Sequence, residues 1–217
     1  MRNIKISPDE YYHIFNRGSN KQVIFYDKND RLRFLFLVLY FQSDITFSNI
    51  GRSIKEFVQH RVLNKEAEEI VKKRTVELVA FCLMPNHFHL VVKNVEETGI
   101  ANYMQRVQNS YTKYFNTKYK KSGHLFQGPY KAVHIQDDKQ LLYLSAYIHR
   151  NPRELKGLLG KENAFQWSSY QDFIGDNRFG ALLLPDIIAN QFDNKKQYDV
   201  FVKESSAKLL QSELEEI

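Results

Sequence analysis

Apolar residues along this chain recur with two different periods, and the change from one to the other outlines its elements. YYHIFNR (11–17) is rich in aromatic and β-branched residues and predicts a strand that stops at the turn signal Gly18-Ser19-Asn20. Leu32, Leu35, Phe36, Leu39 and Tyr40 fall at helical spacing and predict a helix through RLRFLFLVLYF, capped by Asp30. Residues 51–73 predict a second, more charged helical stretch. VELVAFCLM (76–84) predicts a buried strand, Pro85-Asn86 a turn, and HFHLVV (87–92) the return strand of a hairpin. A long helix is predicted from Gly99 to about Lys121, stopping before Ser122-Gly123. YKAVHIQ (130–136) predicts another strand, and Asp137-Asp138 opens a helix through QLLYLSAYIHR. That helix is predicted to end at Asn151, because the residue before Pro152 is pushed out of the α region. QWSSY (166–170) closes the compact part, and residues 183–217 predict a helical appendage with no chemical role assigned.

The order strand, helix, strand, strand, helix, strand predicts an α+β fold. Its form is the ferredoxin-like split βαβ arrangement, an antiparallel sheet with helices on one face, followed by a C-terminal helical appendage. Many unrelated activities share this fold, so it does not decide function.

Composition narrows the class. With 217 residues, 43% hydrophobic and 14% aromatic, the chain can form a real core. Its formal net charge of +6 favours a polyanionic partner, and the distribution says more than the total. Residues 101–150 carry eight Lys or Arg against two acidic residues, so the positive field is concentrated just after the histidines of the hairpin. The single cysteine, Cys82, lies in an apolar run and is expected to behave as a small core residue. The start, MRNIKISPDE, has no apolar core of a secretory signal, and the longest apolar run, Leu35 to Phe41, is far short of a membrane span. No membrane association is expected, and the chain reads as a cytoplasmic protein.

Two constellations can carry chemistry. Side chains alternate across a strand, so His87 and His89 share one face while Phe88 takes the other. At about 3.3 Å rise per residue the imidazoles start roughly 6.6 Å apart and can lean onto one ion. The pair alone fits two readings equally: half of a metal site, or two half-exposed histidines on an open sheet face. In LLYLSAYIHRNP, Tyr147 and Asn151 are four residues apart and lie on one helix face. Tyr147 offers a phenol that becomes nucleophilic on losing its proton, and Asn151 a carboxamide at the frayed helix end. The alternative is an aromatic stripe of Tyr143 and Tyr147 with Asn151 as a helix-stop residue.

Four stretches, YHIFNRGSNKQVIF (12–25), AFCLMPNHFHLVV (80–92), NSYTKYFNTKYKKSGHLFQG (109–128) and YLSAYIHRNP (143–152), together resemble the single-tyrosine HUH transposases. The branch they most resemble is the REP-associated tyrosine transposases, bacterial proteins linked to repetitive extragenic palindromes. The resemblance runs from about residue 8 to residue 170; a transposase domain is expected over residues 1–175, with a helical extension over 176–217 beyond what the resemblance covers. It implies that His87 and His89 bind metal, that Tyr147 is the nucleophile and that Asn151 is the polar third ligand. One departure is QGPYK (127–131), where Pro129 stands in place of the usual basic residue.

The implied reaction is cleavage and rejoining of single-stranded DNA through a 5′-phosphotyrosine. A mixed nitrogen and oxygen shell suits Mg²⁺ or Mn²⁺ better than structural zinc. The implied partner is single-stranded DNA with palindromic hairpins, handled near the nucleoid by a monomer or a homodimer. Along the basic helix, Arg106, Lys113, Lys118, Lys120 and Lys121 are candidate phosphate contacts, joined by Arg17, Lys21 and Lys131. Tyr111, Tyr114 and Tyr119 can stack on unpaired bases, but their near-helical spacing fits a core stripe better. Arg17 and Lys21 fit solvated surface charge as well. Three rival readings stand beside this one: a palindrome-binding protein without catalysis, a relaxase or replication initiator, and a hydrolase whose histidines activate water.

Overall fold

A computed structural model describes residues 5–60 and 64–205. Its elements are β1 (Tyr11–Arg17), α1 (Lys28–Tyr40), α2 (Ile50–His60), α3 (Asn64–Lys73), β2 (Val76–Met84), β3 (His87–Asn94), α4 (Gly99–Tyr119), β4 (Lys131–Ile135), α5 (Asp138–Arg150), and the shorter α6 (Tyr170–Ile174), α7 (Asp186–Ala189) and α8 (Lys195–Glu204). The four strands form one antiparallel sheet in the order β2-β3-β1-β4. This is the ferredoxin-like order that the alternation of elements predicts.

The two-residue period of the strands divides the core in two. Phe81, Leu83, Phe88, Leu90 and Val92 point to one face, where α1 and α4 cover them with Phe34, Tyr111 and Phe115. Ala80, Cys82, Met84 and Val91 point to the other face and meet Leu141, Leu144 and Ile148 of α5. The expectation of helices on one face therefore describes α1 and α4, while the chain after β4 turns back and covers the opposite face. The aromatic stripe of α4 is core, as its spacing suggests: Tyr111 and Phe115 are buried, and the Tyr111 hydroxyl donates to the Ile24 carbonyl over 2.5 Å.

Local boundaries differ from the sequence expectation where side chains act at a distance. The N-cap of α1 is Asp27, whose carboxylate accepts from the Asp30 amide, while Asp30 reaches back to the Asp27 amide in a capping box. Asp30 is thus the third helical residue, not the cap. The charged stretch 51–73 is two helices, α2 and α3. Helix α5 does stop before the Asn151-Pro152 step, but Asn151 keeps helical angles (φ −48°, ψ −41°). The chain tightens there into a 3₁₀ turn, Asn151–Glu154, whose first turn has no use for the N–H that Pro152 lacks.

The chain beyond residue 175 packs onto the same body. Leu182 and Leu183 join the core under α1 and α4, and Ile188, Tyr198 and Val202 join the core under α5. The Leu184 amide donates to the Leu78 carbonyl on the outer edge of β2, which the Trp167 carbonyl and the Ser169 amide also pair. The rest of the expected appendage, 206–217, lies outside the described residues.

Candidate active site

The β2–β3 hairpin turns at Pro85-Asn86 and is docked against the segment that follows β1. The amides of Ile24 and Phe25 donate to the Pro85 carbonyl, and the Gly18 amide donates to the Asn86 carbonyl. Gly18 is required by crowding: a Cβ there would stand 2.2 Å from the Gln22 carbonyl oxygen. This docking sets the side chain of Asn86. Its amide nitrogen donates to the Lys21 carbonyl over 3.3 Å, which turns its oxygen toward His87 Nδ1, 2.7 Å away. His87 therefore carries its proton on Nδ1 and a lone pair on Nε2.

His87 Nε2 lies 3.4 Å from the side-chain oxygen of Asn151 at the end of α5. The amide nitrogen of Asn151 donates to the Tyr147 carbonyl over 2.9 Å, so its oxygen is the atom left facing His87. Two lone-pair atoms confront each other across the gap, an arrangement that a cation between them would stabilise. His89 sits beside them, its ring centre 5.1 Å from that of His87. The Tyr147 ring stands edge-on to His89 at 5.4 Å. Phe88 points the other way into the core, as strand alternation requires.

These groups line a cavity of about 430 Å³ between the sheet and α5. Its charged residues are Arg17, Lys131 and Glu154, a net positive rim suited to a phosphodiester. All its histidines resist protonation. Burial pushes the pKa of His87 down, only partly opposed by its contact with Asn151, and Arg17 pushes it further down. Burial, with the neighbouring His13, His87 and Arg17, holds His89 well below the usual imidazole value. Burial alone lowers His13 to about 3. Neutral imidazole is the form that ligates metals. Among the described residues no three His, Cys, Asp or Glu side chains converge as a metal cluster; the further oxygen beside the imidazoles is the side-chain amide oxygen of Asn151. Two imidazole nitrogens and one carboxamide oxygen fit a divalent ion that keeps other positions for phosphate oxygens and water.

Of the basic residues expected to meet DNA, Arg17 and Lys131 line the cavity. Lys21 lies exposed beside the hairpin turn, and its carbonyl holds Asn86. Helix α4 covers the far face of the sheet, so none of its lysines lines the cavity. Lys113 and Lys120 are exposed there. Lys118 pairs with Asp27 and Asp30, each at 2.7 Å. Lys121 lies on the Tyr26 ring and donates to its hydroxyl. Arg106 is committed to the Ser43 and Ile45 carbonyls and stacks on Phe41. Pro129, at the position of the missing basic residue, lines the cavity two residues before Lys131.

One site residue escaped the sequence reading. His13 on β1 contacts His89 through ring nitrogens 2.9 Å apart. Its signal was a histidine inside an otherwise apolar strand, but only the register of β1 against β3, with Phe15 opposite His89, brings the two rings together.

A tyrosine helix laid across a His-x-His ribbon in an antiparallel sheet is the arrangement of the single-tyrosine HUH enzymes. Comparison with known proteins agrees. The model of the IS200-like transposase family matches residues 9–151, and the chain belongs to that family; it is a transposase. A solved structure described as a REP-associated tyrosine transposase bound to a REP hairpin superposes with a TM-score of 0.52 at 12% identity, covering 83% of this chain and 88% of that one. That likeness is one of fold. No curated protein matches the chain.

Proposed function

We propose that this transposase cuts and rejoins single-stranded DNA beside palindromic hairpins, in the manner of the REP-associated enzymes, with Tyr147 as nucleophile. The observation that supports this most is the convergence of Tyr147, His87, His89 and Asn151 on one cavity. A water-activating hydrolase would have no use for the tyrosine, and a binding protein would need none of the four. The hairpin substrate is supported by the structural neighbour, which is described bound to one.

His87, His89 and Asn151 would hold Mg²⁺ or Mn²⁺, which when bound neutralises and polarises the scissile phosphate. Arg17 and Lys131 would hold the flanking phosphates against the cavity. The Tyr147 oxygen attacks phosphorus in line: a P–O bond to tyrosine forms as the bond to the 3′ oxygen breaks, the phenol gives up its proton, and the departing oxygen takes one up. The phosphotyrosyl ester conserves the bond energy, so a second 3′-hydroxyl can reverse the step and join strands without a nucleotide cofactor. Tyr147 stands edge-on to His89 of its own subunit at 5.4 Å, which supports attack within the same subunit. A DNA substrate places the proposed reaction in the cytoplasm at the nucleoid; among the described residues no helix is long and apolar enough to cross a membrane.

The test is covalent capture. Wild type with Mn²⁺ and a single-stranded palindromic oligonucleotide should yield a DNA–protein adduct stable to denaturation, Tyr147→Phe none, and Tyr143→Phe a normal amount. An adduct on Tyr147→Phe would sink the assignment of the nucleophile. Cleavage by Tyr147→Phe without an adduct would favour hydrolysis by water.

A further inference from the structure

His87 and His89 are oriented by different means, and the second of these has no role in the mechanism so far. Asn86 sets the tautomer of His87. For His89 the corresponding neighbour is His13, a buried histidine, 2% exposed, on the adjacent strand. His13 Nε2 lies 2.9 Å from His89 Nδ1, with the two rings only 17° from coplanar. Phe15 stacks on His13 at 4.6 Å and fixes its plane.

One proton is shared across that contact, and its position decides what His89 can do. With the proton on His89 Nδ1, the His89 Nε2 atom carries a lone pair and can bind a cation. With the proton on His13 Nε2, a neutral His89 must carry its own on Nε2 and cannot bind. The remaining nitrogen of His13, Nδ1, is buried and has no hydrogen-bond partner among the described residues. Nothing else fixes the tautomer of His13, so it can place its proton on Nδ1 and accept from His89 without breaking another bond. A buried polar ring with one unused nitrogen is a poor choice for filling a core, where an apolar residue would pack against Phe15 with no desolvation to offset.

We propose that His13 is the positioning residue of the metal site, holding His89 in the ring plane and the tautomer that present Nε2 to the ion. This rests on the reading of His87, His89 and Asn151 as metal donors. Partners that act in this way on ligating histidines typically contribute roughly 10- to 100-fold in metal affinity.

The experiment is Mn²⁺ binding by the full chain without DNA, followed by calorimetry and by the electron paramagnetic resonance signal of free Mn²⁺. His13→Leu, which cannot accept a hydrogen bond, should bind Mn²⁺ about 10- to 100-fold more weakly. His13→Gln, whose side-chain oxygen can accept from His89 Nδ1–H, should restore most of the affinity. Wild-type affinity in a folded His13→Leu would overturn the proposal, as would an equal loss in both variants. Failure of wild type itself to bind Mn²⁺ would instead remove the metal-donor reading beneath it. A measurement on the unaltered protein covers the case of variants that do not fold. In the Mg²⁺-loaded wild type, ¹⁵N chemical shifts should show His13 protonated at Nδ1 and unprotonated at Nε2; protonation at His13 Nε2 would overturn the proposal.

Discussion

Replacing His149 with glutamine should flatten the dependence of folding stability on pH between 7 and 5. His149 lies on α5 two residues after Tyr147 but faces the other way, into the core shared with α6 and α8. Tyr198 donates its hydroxyl proton to Ser145 over 3.0 Å, so it accepts from His149 Nδ1 at 2.7 Å, and Ser169 lies 2.8 Å from Nε2. The ring is fully buried and stacks on Tyr170. Burial lowers its pKa to about 3, against about 6.5 in an unfolded chain. Below pH 6.5 the unfolded chain takes up a proton that the folded chain refuses until near pH 3. The stabilisation from neutral His149 is therefore complete above about pH 6.5 and is lost as pH falls toward 3. Well below 6.5 the loss approaches about 1.4 kcal/mol per pH unit, which integrates to about 2 kcal/mol between pH 7 and 5. Urea unfolding of wild type and His149→Gln at pH 7, 6 and 5 isolates this one group, because His13, His87 and His89 contribute equally to both. The wild-type free energy should fall by about 2 kcal/mol more than that of the variant over this range. Parallel curves, or an NMR titration of the His149 ring with a midpoint near 6.5, would refute the reasoning.

Charge placement separates two sets of basic residues in DNA binding. Arg17→Ala and Lys131→Ala should each weaken binding of a single-stranded hairpin oligonucleotide and reduce the slope of log affinity against log salt by about 0.7 to 1, whereas Lys118→Met, whose charge is held by Asp27 and Asp30, should leave the slope unchanged in fluorescence anisotropy titrations. Phe88→Ala should lower stability by about 3–5 kcal/mol in chemical denaturation, because Phe88 is fully buried against Phe34 and Phe126, yet leave Mn²⁺ affinity of the folded protein intact, because its side chain points away from the cavity.

What was legible in the sequence was whatever a local period records. The bounds of β1 and β2 and the start of β3 follow from aromatic, β-branched and apolar runs and from the turns at Gly18-Ser19-Asn20 and Pro85-Asn86, and the split order of strands and helices follows from them. Strand alternation placed Phe88 opposite the two histidines, and the four-residue step placed Tyr147 and Asn151 on one face. The residues it could not place are those whose partners lie far along the chain. Lys118 reads as a free charge on a basic helix until Asp27 and Asp30, some 90 residues earlier, close on it. His13 reads as a stray polar residue until its strand is set beside β3, because it lies 76 positions before His89 in the chain. The second covered face of the sheet was hidden for the same reason, since nothing local in α5 says which side of the sheet it will return to.

Tyr147 lies on the last turn of α5 and Asn151 caps that helix, its side-chain amide donating to the Tyr147 carbonyl, and the two imidazoles ride on one strand. The centre is thus assembled from two rigid jaws rather than four separate parts. Spacing within each jaw is a property of helix or strand geometry; the gap between jaws depends on the seating of α5, to which the buried contacts of Tyr198 on α8 with His149 and Ser145 contribute. Damage at that distant seat should therefore move phenol and carboxamide away from the imidazoles in step, so that the proposed cation binding and the proposed strand attack decline together.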